Sequence, residues 1–407
     1  MKNLIIKLAS FVISIIKNPI AYKFLKKHSE RHGDKDKKIK VVFIVQMAEI
    51  WDKEIDVYKE LKSRGNVEMV MLVVPEYDFA HKRLSNNYEG NYFLKNYPEA
   101  IRVLDSYGKT INLKEYEPDY VFFQRPYDIY LPVELRSERI IRFAKCCYIP
   151  YGYSCADVFN GGNTAPAFFR NMYFVFSESE YMQSLLKKKY KRTSENGYQH
   201  FEYLGYPNLE SYLKMENIDK IKSIIWTPRW SYDKKIGGSQ FFEYKDNFIA
   251  MKDNHPEIEF VFRPHPLMLQ NFVREKRMTE EEVESFQKVL ESKDIRFDKG
   301  TMLYETIDKA DLMITDFSSI IINFFLTGKP LIYCESVITF NEDFNRFRDC
   351  IYIVHNQDEL ESTVDNLLNG NDYLKEKRLA LIAKEFRDCI GAAKRIADTI
   401  MQDYYKS

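Results

Sequence analysis

The chain has 407 residues, 45% hydrophobic and 29% charged, with 60 Lys+Arg balancing 60 Asp+Glu. At about 150 residues per domain this length suggests two to three domains, and the composition excludes a disordered, collagen-like or disulfide-stapled chain. Nucleic-acid binders usually carry a basic excess, so the zero net charge counts against that class.

The neutral total hides a split. The first 40 residues hold eleven Lys/Arg against three acids, Glu30, Asp34 and Asp36. Residues 3–16 are mostly apolar but include Lys7, and the run is shorter than the roughly 20 residues that cross a bilayer. No small-residue cleavage site follows, so a secretory signal is not expected. An apolar stripe beside clustered lysines predicts that residues 1–38 form a basic amphipathic membrane-surface segment. The alternative is a helix packed on the protein with a solvated lysine tail.

Next come a buried-type strand at Lys40–Val45, a helix at Lys53–Lys62 and a strand at Val67–Val74. Tyr120–Phe123, Cys147–Pro150 and Tyr173–Phe176 are further apolar runs, with helical patterns near Val133–Phe143 and Glu180–Lys189. After a polar stretch at Asn208–Lys222 the alternation restarts. It gives strands at Ser223–Trp226, Glu259–Phe262, Leu312–Thr315 and Leu331–Tyr333. Helices are expected at Phe241–Lys252, Glu280–Glu291 and Ser319–Leu326, and from Asp358 to the end. Strands alternating with helices predict parallel α/β sheets in two successive halves. The expected domains are 39–210, 211–390 and a closing helix at 391–407. Ligands of such sheets bind outside the carboxyl ends of the strands, so two sheets facing a central cleft put the site there. The six cysteines form no C-x-x-C pair and mostly sit in apolar runs, as reduced core residues do.

Several strand ends carry polar residues that a core would not choose. Phe262 is followed by Arg263-Pro264-His265-Pro266, where Arg263 offers a planar fork for phosphate and two prolines fix the backbone around His265. His265 can hydrogen-bond an oxyanion or move a proton. The competing reading is a structural turn with a salt-bridged Arg. Thr315-Asp316-Phe317-Ser318-Ser319 ends another strand. Asp316 or Ser318 is expected to cap the next helix, whose N-terminus with two hydroxyls would suit an anion. Trp226-Thr227-Pro228-Arg229-Trp230 offers Arg229 for a phosphate and Trp230 for a base or pocket wall. In the first half, Glu49-Ile50-Trp51-Asp52, Gln124-Arg125 and Tyr151-Gly152 are either substrate-facing or aromatic loop packing. No H-E-x-x-H, Walker A or G-x-G-x-x-G pattern is present and no D-x-D pair ends a strand, so no metal site is expected.

Arg263-Pro264-His265-Pro266, Thr315–Ser319, Lys329-Pro330 and Gly391-Ala392-Ala393-Lys394-Arg395 together resemble the CDP-glycerol glycerophosphotransferase family. These are the teichoic-acid and capsule polymer transferases of GT-B fold, and order and spacing agree over about 220–400. The resemblance implies an α/β, GT-B type chain with two Rossmann-like domains, the first for acceptor and the second for donor. It implies a polyol-phosphate transferase, most simply using CDP-glycerol, with a lipid-linked or polymeric acceptor at the cytoplasmic face of the membrane and no cofactor. It also implies that His265, Arg263, Ser318 and Ser319 engage the donor's pyrophosphate; Arg229, Trp230, Thr315 and Asp316 are the further donor-binding candidates. Glu49, Trp51, Gln124, Arg125 and Gly152 would face the acceptor.

Family members generally carry His-Gly in the first domain; a capsule-type subgroup, like this chain, has Tyr-Gly, here Tyr151-Gly152. Tyr151 and Asp157 therefore join His265 as catalytic candidates. An unperturbed Tyr has a pKa of about 10 and is a poor base at pH 7, so Glu49, Asp52, Asp157 or Glu178 is the alternative base. The family's acidic residue after the Ser pair is Asn323 here, and Glu335–Asp349 lacks the usual Arg-Gly. Two other functions fit the same sequence. One is a nucleotide-sugar glycosyltransferase of polysaccharide synthesis; the other is an inactive assembly subunit.

Overall fold

Continuous apolar strands suit a parallel sheet covered by helices on both faces. A computed structural model of the chain describes residues 17–78, 81, 83–213, 220–233, 238–300 and 303–406, and there the apolar runs form two such sheets. The first contains β1 (Ile39–Val45), β2 (Val67–Val73), β3 (Ala100–Arg102), β4 (Tyr120–Phe123), β5 (Lys145–Tyr148), β6 (Phe174–Phe176) and β7 (His200–Glu202). Their order is β3-β2-β1-β4-β5-β6-β7, and all are parallel. In β1 only Lys40 escapes full burial. The second sheet contains β8 (Ser223–Thr227), β9 (Glu259–Phe262), β10 (Ile295–Phe297), β11 (Leu312–Thr315), β12 (Leu331–Cys334) and β13 (Tyr352–Val354). Its order, β10-β9-β8-β11-β12-β13, repeats that of the first six strands, again all parallel.

This is the doubly wound order. The chain builds outward from the first strand, then returns to build on its other side. Each sheet therefore has a switch point where ligands bind, between β1 and β4 and between β8 and β11.

The chain divides into two units. The first comprises residues up to Gly152, Asn160–Asn208 and everything from Asp388. The second comprises Tyr153–Phe159 and Leu209–Arg387. The final helix, Ala392–Tyr405, thus belongs to the first unit and is not a segment of its own. A buried network ties it there. The Asp403 carboxylate accepts from Tyr120 Oη (2.6 Å), Tyr173 Oη (2.9 Å), Lys145 Nζ (2.5 Å) and Lys406 Nζ (2.5 Å).

The helix expected at Val133–Phe143 is broken into a 3₁₀ turn, Val133–Leu135, and a short helix, Ser137–Ile140. The Asp128 carboxylate, accepting from the Ser137 N–H (2.9 Å) and Oγ (2.6 Å), pins the start of the second piece. The apolar run at 3–16 lies outside the described residues. Residues 17–29 are helical, and Ala21, Leu25 and His28 bury one face on the protein, with His28 Nε2 2.7 Å from the Ile141 carbonyl. Lys17, Lys23, Lys26 and Lys27 stay exposed on the same helix. Among the described residues no helix is long and apolar enough to cross a membrane. All six cysteines are free and buried, and burial raises the thiols of Cys146, Cys147 and Cys334. That is the behaviour of unreactive core residues.

Candidate functional site

In the second unit the loops after β8, β9 and β11 leave the carboxyl ends of adjacent strands. Asp316, the first residue after β11, organises the switch point. Its carboxylate accepts from the Arg229 N–H (2.8 Å), the Gln240 N–H (2.9 Å) and Ser239 Oγ (3.2 Å). It is 1% exposed. Burial pushes its pKa up to about 7, against the pull of the Gln240 N–H and the Arg229 charge. Asp316 therefore ties the β8 loop to β11 and does not cap the next helix. Thr315 is fully buried and its hydroxyl donates to the Thr227 carbonyl (3.0 Å), a second tie between the same strands.

Arg229 stands on this platform. Its Nη1 donates to the Phe317 carbonyl (2.9 Å), and its guanidinium lies over the rings of Phe317 (5.0 Å), Phe159 (5.2 Å) and Trp230 (5.9 Å). Trp230 in turn stands 6.3 Å, ring to ring, from His265. Phe159 and Ser239 could not be foreseen, because their partners lie far along the chain.

His265 is exposed, and its Nδ1 accepts from the Leu267 N–H at 3.1 Å. That bond assigns the remaining ring proton to Nε2. The packed surroundings, and then the Arg229 charge, lower its pKa to about 4. At neutral pH His265 is thus an uncharged ring presenting an N–H donor, suited to stabilising an oxyanion and unsuited to carrying a proton. It lines a cavity of about 710 Å³ together with Pro264, Pro266, Leu269, Phe297 and Lys299. Pockets of about 300–1,000 Å³ are typical for small molecules.

Arg263 adopts the salt-bridged alternative. Nη1 donates to Asp298 Oδ2 (2.7 Å) and Thr306 Oγ1 (2.9 Å), and Nη2 to the Gly300 carbonyl (2.8 Å). It buttresses the cavity wall and presents no free fork to phosphate. The helix after β11 is Ile321–Phe325, five residues long and beginning beyond the Ser pair. The expected anion-binding helix end at Ser318-Ser319 is therefore replaced by a turn. In it the Ile320 N–H donates to Ser318 Oγ (3.4 Å), while Ser318 is half-buried and Ser319 exposed. Lys329 is structural: its buried ammonium donates to the Asp308 and Ala310 carbonyls, both at 2.8 Å.

In the first unit Gln124 plays the part that Asp316 plays in the second. Its Oε1 accepts from the Gln46 and Met47 N–H groups (2.8 Å each), and its Nε2 donates to the Met47 carbonyl (2.8 Å). It is a clamp across the switch point, not an acceptor ligand. Trp51 is also not acceptor-facing. It is fully buried among Phe43, Tyr58 and Phe93, and its Nε1 donates to Tyr97 Oη (2.7 Å). The aromatic packing weighed for this loop is what Trp51 does.

Arg125 is half-buried and lies over the Tyr130 ring at 5.0 Å. Tyr151 Oη is 2.8 Å from Tyr127 Oη. Burial, then Tyr127, raises the Tyr151 hydroxyl far above neutral pH, so it stays protonated and is no base. Gly152 follows it, half-buried. Glu49 is exposed; Asp52 is held by Lys53 (2.5 Å) and Asn208 (2.6 Å). Asp157 is exposed on the segment that joins the second unit, and Glu178 is buried after β6.

The family described as CDP-glycerol:poly(glycerophosphate) glycerophosphotransferase matches residues 163–402. No curated protein sequence matches the chain. Similar solved structures include UDP-GlcNAc 2-epimerase from Neisseria meningitidis bound to UDP-GlcNAc, at 12% identity and TM-score 0.59, covering 89% of this chain and 100% of that one. A putative UDP-N-acetylglucosamine 2-epimerase from Listeria monocytogenes matches at 13% identity and TM-score 0.58, covering 91% and 98%. The wall teichoic acid polymerase TagF matches at 15% identity and TM-score 0.53, covering 99% and 98%. At these identities the likeness establishes the fold, which is of GT-B type.

Proposed function

The chain belongs to the CDP-glycerol:poly(glycerophosphate) glycerophosphotransferase family, polyol-phosphate transferases acting on a cell-wall polymer, and on that premise we propose that its donor is a CDP-polyol, most simply CDP-glycerol. The acceptor hydroxyl attacks the phosphorus that carries the polyol. The bond from that phosphorus to the bridging oxygen breaks, CMP leaves with the electron pair, and the hydroxyl proton passes to solvent or a base. The observation that carries this reading is His265, a neutral N–H donor at a strand end beside a cavity large enough for a nucleoside. Its Nε2–H and the hydroxyls of Ser318 and Ser319 meet the donor phosphates, where developing charge is best stabilised. Arg229 adds positive charge behind them.

The reading includes no resident cofactor or metal. Calorimetry of the full chain with CDP-glycerol, CDP-ribitol, UDP-sugars and CMP tests it. Micromolar binding of a CDP-polyol, unchanged by EDTA, is expected; binding of a UDP- or GDP-sugar instead would make the chain a glycosyltransferase.

The same reading places the chain on the cytoplasmic face of the membrane, where a lipid-linked acceptor is met. Two basic segments support it. Arg192 lies over the Tyr22 ring at 4.8 Å. It thereby joins exposed Lys187, Lys188 and Lys191 to the lysine face of residues 17–29. A lysine near an anionic surface contributes about 1 kcal/mol. Replacing Lys187, Lys188 and Lys191 together with Glu is expected to weaken binding to phosphatidylglycerol vesicles by about 100-fold or more at low salt. Unchanged cosedimentation would remove this surface from the account.

A further inference from the structure

We propose that Arg125 is an anion-binding residue that receives a phosphate group of the acceptor. The inference rests on the transferase reading above only for the identity of the anion. Arg125 is the second residue after β4, at the switch point of the first sheet, where this fold binds ligands. Its guanidinium is half-buried, and among the described residues no carboxylate pairs with it. Nη2 donates to Gln46 Oε1, and among the described residues no other acceptor meets its five N–H donors. A guanidinium drawn out of water is normally paired. Here only the neutral Gln46 oxygen meets the fork, and its orientation is fixed.

The fixing is built in layers. Gln46 is 8% exposed, and its Nε2 donates to the Pro75 carbonyl (2.7 Å), which aims Oε1 at Arg125. Gln124 holds the backbone of Gln46. Tyr130 backs the guanidinium face at 5.0 Å. Arg263, by contrast, has Asp298 at 2.7 Å and is spent.

The surroundings suit a phosphorylated polyol rather than an apolar anion. Tyr127 and Tyr151 share a hydroxyl–hydroxyl contact of 2.8 Å and are both half-buried on the same unit. Phenol hydroxyls there can exchange hydrogen bonds with polyol hydroxyls, while the planar fork takes two phosphate oxygens. A phosphodiester next to the acceptor's terminal polyol supplies both features. Arg125 thus selects acceptors that already carry phosphate.

The full chain is titrated by calorimetry with a short glycerophosphate oligomer, with an uncharged polyglycerol of equal length, with inorganic phosphate and with CDP-glycerol. Wild type is expected to prefer the oligomer to polyglycerol. Arg125→Gln should weaken the oligomer by about 10- to 100-fold, abolish that preference and leave CDP-glycerol within twofold. Arg125→Lys, which keeps charge but loses the fork, should fall between them. Oligomer binding unchanged in Arg125→Gln overturns the proposal, as does equal loss of oligomer and CDP-glycerol, or inorganic phosphate binding as tightly as the oligomer. If wild type binds the oligomer through Arg125 but no CDP-polyol, the donor reading fails and this one stands.

Discussion

Replacing His265 with alanine is expected to lower turnover by about 10²- to 10³-fold, the cost of losing one preorganised donor to developing charge. The size of the effect follows from the state of the ring. The Leu267 N–H occupies Nδ1, so Nε2 carries the proton and points its donor outward. With its pKa lowered to about 4 by packing and by Arg229, the ring stays neutral through the working pH range. Two results then separate an oxyanion donor from an acid or base. His265→Gln, which keeps an uncharged N–H donor, should recover part of the lost rate. The wild-type pH–rate profile should show no inflection near pH 6.5 that disappears in the variant. The residue lies at the surface and its ring makes one hydrogen bond, from the Leu267 N–H, so Tm should move little, surface substitutions costing about 0.5 kcal/mol or less. A His265→Ala enzyme within threefold of wild type would take the residue out of the mechanism.

The second large effect is on stability. Asp403→Asn is expected to destabilise the first unit by about 3–5 kcal/mol, the usual cost of stripping the partner from a buried charge. Lys145 and Asp403 have side-chain exposures of 5% and 6%, and the ammonium sits between the rings of Tyr120 and Tyr173 at 5.4 and 4.6 Å. Burial alone would raise the Asp403 carboxyl, but Lys145, Lys406 and Tyr120 outweigh it and hold it below its ordinary range. A carboxyl lowered by folding stabilises fully above its unfolded pKa, and that contribution fades as pH falls through the folded one. The Asn variant should therefore lose stability at neutral pH and show a flatter acid limb. Hydrogen exchange in β4 and β5 reads this for the first unit alone. A loss of protection below about tenfold, or roughly 1.4 kcal/mol, would show that the final helix is held by its apolar face instead.

What was legible in the sequence was local. Runs such as Lys40–Val45 and Leu312–Thr315 announced buried parallel strands, and the polar residues after them marked the strand ends where ligands bind. What was not legible depended on partners distant in the chain. Arg263 looks like a phosphate clamp until Asp298, 35 residues on, is seen to hold it. Asp316 looks like a helix cap, but the β8 loop claims its oxygens. Ser318 and Ser319 lie outside the helix because Ile320, not a serine, is its N-cap residue. Trp51 follows a strand as a substrate residue would, yet four aromatic neighbours bury it. The return of the last helix to the first unit rests on Asp403, whose partners Tyr120 and Lys145 are more than 250 residues away. In both sheets one side chain at the switch point, Gln124 or Asp316, clamps the first βα loop, a parallel that no sequence motif advertises.

The proposed reaction moves a polyol phosphate from a CDP donor to the acceptor. It is tested most directly by incubating the full chain with CDP-glycerol and a glycerophosphate-primed acceptor and following both products by phosphorus NMR. One CMP is expected to be released for each glycerol phosphate joined to acceptor, with both lost together in His265→Ala. Nucleotide release from a UDP- or GDP-sugar with no CMP from CDP-glycerol would contradict it.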